Sequence, residues 1–173
     1  MDPNRDNGFT LIELLFVAGV ISILAAIATP GLNRAKMAAD EASAIASLRV
    51  VHSSEQMFWA SCGSGNYSPS LQNLGQTNAG APGFLSADIS GPAPVVKSGY
   101  EFDLDSRNPT VGLSCNGGAL VASYHATADP QPGRGRRYFG SNTSGGIFQS
   151  TETLFGIMPD VGAPPAPAVP ISQ

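Results

Sequence analysis

The pattern of hydrophobic and polar positions begins with an almost unbroken apolar run at residues 9–28, FTLIELLFVAGVISILAAIA. Only Thr10, Glu13, Gly19 and Ser22 interrupt it. At about 1.5 Å of rise per residue, a helix of this length spans about 30 Å, the thickness of a bilayer's hydrocarbon core. The run therefore predicts a helix that can cross a membrane.

After Pro30 and Gly31 an amphipathic pattern follows and predicts helix to about Trp59. Because proline removes a backbone hydrogen bond and crowds the preceding turn, we expect a kink or local melting between Ser22 and Gly31. A simple exit from the membrane at Pro30 is the alternative. The apolar positions recur mostly every three or four residues and are Leu32, Ala35, Ala39, Ala42, Ile45, Leu48, Val51 and Phe58.

The rest of the chain shows shorter patterns. Residues 62–98 are rich in Gly, Ser, Pro and Asn and predict a long connecting loop with one short helix. Tyr100–Leu104 alternates apolar and acidic residues, which predicts a half-buried strand, and Ala119–Thr127 is a second strand candidate. Arg136–Gly140 and Gly146–Ser150 flank a polar turn and predict a hairpin. The sum is an α+β fold, in which a small antiparallel sheet packs against the long helix.

The proline-rich C-terminal end completes the predicted organisation. Prolines cannot donate ladder hydrogen bonds, so we expect residues 158–173 to form a disordered tail, with a docking strip on a neighbouring subunit as the alternative. The predicted segments are a leader (1–8), a transmembrane and assembly helix (9–30), its amphipathic second half (31–61), a globular head (62–157) and the tail (158–173).

Composition and charge narrow the class of protein. With 173 residues and 13% charged residues, the chain is too apolar for a disordered protein and long enough for one globular unit. Its formal net charge of −4 argues against a general nucleic-acid binder. Arg134, Arg136 and Arg137 form a local basic patch that can meet phosphates, but such a cluster is more often solvated or intersubunit.

The two cysteines, Cys62 and Cys115, lie outside the apolar run. An exported domain would hold both in a compartment that permits disulfides, so one bridge is predicted, with two buried free thiols as the alternative. Such a bridge would stabilise the fold by roughly 2 to 4 kcal/mol.

Candidate chemistry is sparse. His52 and His125, with the two cysteines, are the residues that resemble a nucleophile set, but no local signature accompanies them and we predict neither an enzyme nor a cofactor. Glu101, Asp103 and Asp105 alternate along the first predicted strand and offer carboxylates to calcium. A solvated face explains them better, so no metal site is predicted.

Glu13 is the residue that a simple membrane anchor does not explain, because a carboxylate within hydrocarbon costs about 2.5 to 3.5 kcal/mol. Protonation or a reach to the headgroups is one solution. The polar head ends at Gly8, directly before the apolar run, which indicates a processing point there rather than after the run. Cleavage after Gly8 creates a free amine on Phe9, and this amine and Glu13 can neutralise each other between neighbouring subunits.

These residues resemble the N-terminus of type IV pilins and type II secretion pseudopilins, which carry a class III signal sequence. The matching positions are Gly8, Phe9, Thr10, Leu11, Ile12 and Glu13, followed by the apolar run and Pro30. The resemblance implies that a prepilin peptidase cuts after Gly8 and methylates Phe9. It also implies that Glu13 pairs with the amine of an adjacent subunit during assembly, and that the whole has the family's lollipop architecture.

The function implied by the resemblance is a structural subunit of a type IV pilus. A type II secretion pseudopilin is the alternative, and a membrane-anchored binding protein is a third reading. The implied partners are identical or related pilin subunits, the prepilin peptidase and methyltransferase, the inner-membrane assembly platform and, before assembly, membrane lipid. The implied location is the bacterial inner membrane for the precursor, then an extracellular or periplasmic filament.

Overall fold

The computed structural model of the protein describes residues 9–77 and 82–171 of the chain. It contains two compact units, Met1–Lys36 and Met37–Gln173. The helix α1 (Leu11–Ser61) begins in the first unit and ends in the second. Its end matches the predicted helix to within two residues.

Pro30 lies inside α1, and the backbone from residue 22 to residue 31 is helical throughout. The expected local melting is therefore not present, because the loss of one hydrogen bond at Pro30 leaves the bonds of the neighbouring turns in place. A kink at Pro30 and Gly31 stays a prediction.

The second unit contains a six-stranded antiparallel sheet in the order β1-β2-β5-β6-β7-β8. A second, two-stranded sheet pairs β3 with β4, and a short helix α2 lies in the long connection. The elements are α2 (Leu71–Leu74), β1 (Val95–Lys97), β2 (Tyr100–Asp105), β3 (Pro109–Leu113), β4 (Ala119–Val121), β5 (His125–Pro130), β6 (Tyr138–Asn142), β7 (Ile147–Ser150) and β8 (Val169–Pro170).

The predicted first strand, hairpin and short helix are confirmed as β2, β6–β7 and α2. The candidate strand Ala119–Thr127 is wrong as a single element, because it divides between β4 and β5 in two different sheets. At the break, the Ala122 N–H donates to Asn108 C=O at 2.9 Å and the Tyr124 N–H donates to Thr143 Oγ1 at 2.9 Å. These two backbone N–H groups therefore bond to loop residues rather than to a neighbouring strand, which separates the end of β4 from the start of β5.

The core lies between one face of α1 and the inner face of the larger sheet. From Met37 onward, the buried apolar residues of α1 form one cluster with the alternating residues of β2; they are Ala44, Leu48, Val51 and Phe58. Leu48, Val51 and Phe58 belong to the predicted apolar stripe, whereas Ala39 and Ala42 of that stripe are exposed. Aromatic rings fill much of the space, with Phe58 against Phe84 in an edge-on arrangement at 5.4 Å. The largest fully buried side chains include Tyr100, Tyr124, Phe58, Phe102, Phe139, Leu48, Leu71 and Leu74.

Glu55 is an unexpected member of this core, since it is fully buried on α1. The Ser68 N–H donates to its Oε2 at 2.9 Å, while Oε1 has no hydrogen-bond partner among the described residues. Burial raises the pKa of this carboxyl to about 8, against the smaller lowering effect of the Ser68 bond. A pKa this high favours the protonated form of the Glu55 carboxyl at neutral pH, in the core of the second unit.

Cys62 and Cys115 form the predicted disulfide, with Cα atoms 4.8 Å apart and a sequence separation of 53. The Cys115 N–H also donates to the Cys62 carbonyl at 3.0 Å. The bridge therefore joins the end of α1 to the segment between β3 and β4.

The C-terminal segment differs from the expected disordered tail. Met158 is fully buried, Asp160 is 6% exposed, and Val169 of β8 pairs with Gln149 of β7. The Ile171 N–H donates to Ile147 C=O at 2.8 Å. Prolines are compatible with this arrangement because an edge strand needs ladder bonds on one side only. Residues 172 and 173 lie outside the described residues, and a docking role for the segment stays a prediction.

Candidate assembly site at the start of the helix

The first turn of α1 is closed by a reciprocal pair of hydrogen bonds between Thr10 and Glu13. The Thr10 N–H donates to Glu13 Oε2 at 2.9 Å, and the Glu13 N–H donates to Thr10 Oγ1 at 3.4 Å. The Thr10 hydroxyl also donates to Glu13 Oε2 at 2.7 Å. This is a capping box, which satisfies backbone donors that a helix start otherwise leaves unpaired. Our sequence reasoning missed this role, although the Thr-x-x-Glu spacing carries the signal.

The capping box occupies only one of the two carboxylate oxygens of Glu13. Within the described part of the chain, Oε1 of Glu13 has no hydrogen-bond partner, and the residue is exposed. A surface depression of about 390 Å³ brings the same carboxylate beside apolar side chains; it is lined by Phe9, Ile12, Glu13, Phe16 and Val17. The arrangement leaves room for a donor from outside the chain.

The other polar side chains of this segment are satisfied within the helix. The Ser22 hydroxyl donates to Ala18 C=O at 2.8 Å, and the Thr29 hydroxyl donates to Ala25 C=O at 2.7 Å. Such back-bonding removes the need for water or a partner. Glu13 is thus the group of residues 11–30 that keeps an unmet capacity for a hydrogen bond or an ion pair.

The surface around Glu13 is apolar and uncovered. All residues from 9 to 36 are exposed, with Phe9 at 85% and Leu11 at 83%. Among the described residues, α1 is the one helix long and apolar enough to cross a membrane. So large an apolar surface needs lipid or protein against it.

The processing site is only partly described. Gly8 and the rest of the leader lie outside the described residues, while Phe9 directly precedes the capping residue Thr10 and the helix. Cleavage between Gly8 and Phe9 and methylation of Phe9 therefore stay predictions. A cut there would place a new amine one residue before the helix cap.

The predicted basic patch is largely neutralised by acidic residues of α1. The Arg137 guanidinium donates to Glu41 Oε2 at 2.6 Å, and Arg134 Nε lies 3.2 Å from Asp40 Oδ2. Burial raises the pKa of Glu41, but hydrogen bonds from the Arg136 N–H and the Arg137 side chain outweigh it and hold the pKa below its usual value. Two of the three arginines thus hold the loop before β6 against the helix, which does not favour a nucleic-acid surface.

The residues that resembled a nucleophile set do not come together. Cys62 and Cys115 are bonded to each other, and His52 Nδ1 is paired with the Tyr124 hydroxyl at 2.6 Å. His125 Nδ1 lies 2.6 Å from Asp160 Oδ1 in the interior. Among residues 9–77 and 82–171, no group of three or more His, Cys, Asp or Glu side chains is arranged to hold a metal ion.

A family model described as the prokaryotic N-terminal methylation motif matches residues 3–29. The match covers the predicted cleavage junction, the capping box and most of the apolar run. No curated protein and no solved structure matches the chain.

The chain therefore carries the class III signal sequence of type IV pilins and pseudopilins. The chain has an α+β fold, in which the long N-terminal helix packs on an antiparallel sheet. The signal sequence and this fold together are consistent with a pilin-like protein. The motif and the apolar helix fit a membrane-anchored precursor that is processed by a prepilin peptidase and assembles into polymers.

Proposed function

We propose that this protein is the structural subunit of a type IV pilus. In this proposal the precursor resides in the bacterial inner membrane, is cut between Gly8 and Phe9, is methylated on Phe9, and polymerises through α1. The observation that carries the proposal is the exposed Glu13 carboxylate in the otherwise apolar and uncovered segment 11–30 of α1. One of its two oxygens has no hydrogen-bond partner among the described residues. We expect no catalytic activity.

The physical argument concerns the charge of Glu13 in lipid. A lone carboxylate in hydrocarbon costs about 2.5 to 3.5 kcal/mol, and an amine on a neighbouring subunit removes that cost by forming a charge-assisted hydrogen bond. The pair would form only when a second subunit places its Phe9 beside the vacant Oε1. One relative position of the two subunits would thus be favoured, because a shift of one helix along the other leaves the Phe9 amine and the Glu13 carboxylate unpaired.

The test is to replace Glu13 while leaving the cleavage site intact. For Glu13→Leu and Glu13→Gln we expect normal cleavage and membrane insertion, but at least about a tenfold loss of filaments, as for removal of one partner of a desolvated pair. Electron microscopy of sheared surface material and N-terminal sequencing of the mature chain measure the two outcomes.

Ser22→Ala is the matched control, since Ser22 is a polar residue of the same helix whose hydroxyl is satisfied internally. It should leave both cleavage and filaments unchanged. Normal filaments from the Glu13 variants, or a mature chain that begins at Met1, contradict the proposal.

A pseudopilin of a type II secretion system would present the same N-terminal segment, so the same carboxylate supports it. The two functions differ in where the polymer is found. Abundant surface filaments that contain this chain support the pilus. Their absence, together with a secretion defect after deletion of the gene, supports the pseudopilin, with a periplasmic polymer and the same Glu13 dependence.

A further inference from the structure

Two basic residues follow directly on the apolar run of α1. No charged residue stands between Glu13 and Arg34, and Lys36 comes two residues later. Both bases are exposed, and both precede Asp40, the first acidic residue on that side of the run. They belong to the first compact unit, as the apolar run does. The end of the apolar surface away from Glu13 thus carries two positive charges and no negative one.

Neither base has a partner in the described part of the chain. Arg34 and Lys36 take part in no ion pair and no side-chain hydrogen bond there. The next two acidic residues of α1, Asp40 and Glu41, are already paired with arginines of the second unit. Since these acids have bases of their own, Arg34 and Lys36 are left for an anion from outside the chain.

The spacing of the charges along α1 matches the thickness of a bilayer. At about 1.5 Å of rise per residue, the helix places Arg34 about 30 Å beyond Glu13, which is the thickness of the hydrocarbon core. Arginine and lysine have long apolar stems and carry their charged ends to the level of the headgroups. With Glu13 at one boundary of the core, Arg34 and Lys36 therefore reach the headgroups at the other.

The two bases lie on different sides of the helix. Residues two positions apart on an α-helix do not face each other, since they are about 200° apart around its axis. A single phosphate group therefore does not meet both side chains, and each base approaches a different lipid. An anionic phospholipid has the matching chemistry, because its headgroup keeps a net negative charge that a zwitterionic lipid lacks.

We propose, on the basis of the membrane residence in the proposed function, that Arg34 and Lys36 each bind the headgroup of one anionic phospholipid. The guanidinium and ammonium groups donate charge-assisted hydrogen bonds to phosphate oxygens. These bonds are stronger next to hydrocarbon than in bulk water, because the local dielectric constant is lower. The two lipids fix the depth of α1 in the membrane from opposite sides of the helix.

The experiment is native mass spectrometry of the full chain in detergent micelles, titrated with phosphatidylglycerol or with phosphatidylcholine of the same acyl chains. The anionic lipid should fill one site at each base. Its affinity should be at least about fivefold higher than that of phosphatidylcholine, which is the effect of one base near an anionic lipid. Added salt should weaken the binding of phosphatidylglycerol and leave that of phosphatidylcholine unchanged.

Replacement of the bases tests their assignment. Arg34→Gln and Lys36→Gln should each remove one phosphatidylglycerol site, and the double variant should bind the two lipids equally. Arg49→Gln is the matched control, since Arg49 is an exposed base of α1 about 20 Å farther along the helix than Lys36. It should keep both sites. Circular dichroism checks that each variant retains its helix.

Equal affinity of the unmodified chain for the two lipids, or an equal loss in Arg49→Gln, overturns the proposal. A single phosphatidylglycerol site that either replacement destroys also overturns it, because each base would then lack a lipid of its own. Alkaline carbonate extraction of membranes separates this failure from that of the proposed function. A chain released by carbonate contradicts both, whereas a retained chain without lipid preference contradicts this proposal alone.

Discussion

The two compact units treat apolar surface in opposite ways. All residues from 9 to 36 are exposed, whereas from Met37 onward one face of the same helix is buried against a sheet. The difference shows that the sequence pattern of a helix does not by itself determine whether its apolar side chains are buried within the same chain or against other molecules. The second unit supplies that cover from its own chain, and the first unit must obtain it from lipid or from other subunits.

The acidic residues of α1 follow the same division. Asp40 and Glu41 pair with arginines of the head. Among the described residues, Glu13 bonds only within its own first turn, and its Oε1 has no partner. A carboxylate that forms an ion pair with a base of the same chain helps to hold the elements of that fold together. An exposed carboxylate that lacks an internal base, as Glu13 does among the described residues, is available for a contact between chains. The following predictions disturb the two units one at a time.

The largest effect is expected from loss of the disulfide. Cys62→Ser with Cys115→Ser should lower the free energy of unfolding of the second unit by about 2 to 5 kcal/mol, because the unfolded chain regains the freedom of a long loop. Thermal or denaturant unfolding of the full chain in detergent, with and without reductant, measures it. Cleavage after Gly8 should proceed to the same extent in the double variant and in the unmodified chain. A clear drop in the cleaved fraction of the variant would show that the two units are not independent.

A smaller and pH-dependent effect is expected from Glu55. Its pKa is about 8 in the folded state, above the ordinary value of 4.5. Between these two values the unfolded chain releases the proton while the folded chain retains it, so stability is complete at low pH and falls as pH rises. We expect a loss of about 3 kcal/mol between about pH 5 and about pH 8, measured by unfolding across that range.

Glu55→Gln is the control for this prediction, since the amide still accepts the Ser68 N–H but cannot ionise. The variant should lack the Glu55 contribution, so its free energy of unfolding should fall by about 3 kcal/mol less than that of the unmodified chain over the same pH range. If the two chains lose equal stability, the carboxyl is not protonated in the core and the prediction is wrong.

The smallest effect is expected from Thr10→Ala, which removes the hydroxyl of the capping box. The start of α1 should lose about 1 kcal/mol, while Glu13 stays available for pairing. Filament yield should therefore fall far less than in Glu13→Leu, as measured on matched amounts of cleaved protein. An equal loss would mean that Glu13 acts through the helix cap rather than through a neighbour.

Much of this fold could be predicted because its signals are local. The helix end near Trp59, the alternation in β2 and the polar turn between β6 and β7 all lie within a few neighbouring residues. The edge strand β1 and the break between β4 and β5 were missed, since both depend on partners distant in sequence. The ordered C-terminal segment was missed for the same reason, because β8 exists only through its pairing with β7.

The sequence by itself determined the apolar N-terminal segment, the processing motif and the isolated position of Glu13, because these depend on composition and spacing along one helix. Only the tertiary structure decided which charges have partners. It paired Asp40 and Glu41 with arginines about 95 residues away and gathered Glu101 and Asp129 in one groove. It also buried Glu55 with one oxygen that has no partner among residues 9–77 and 82–171. Charge pairing depends on distances in space, which a linear pattern does not record.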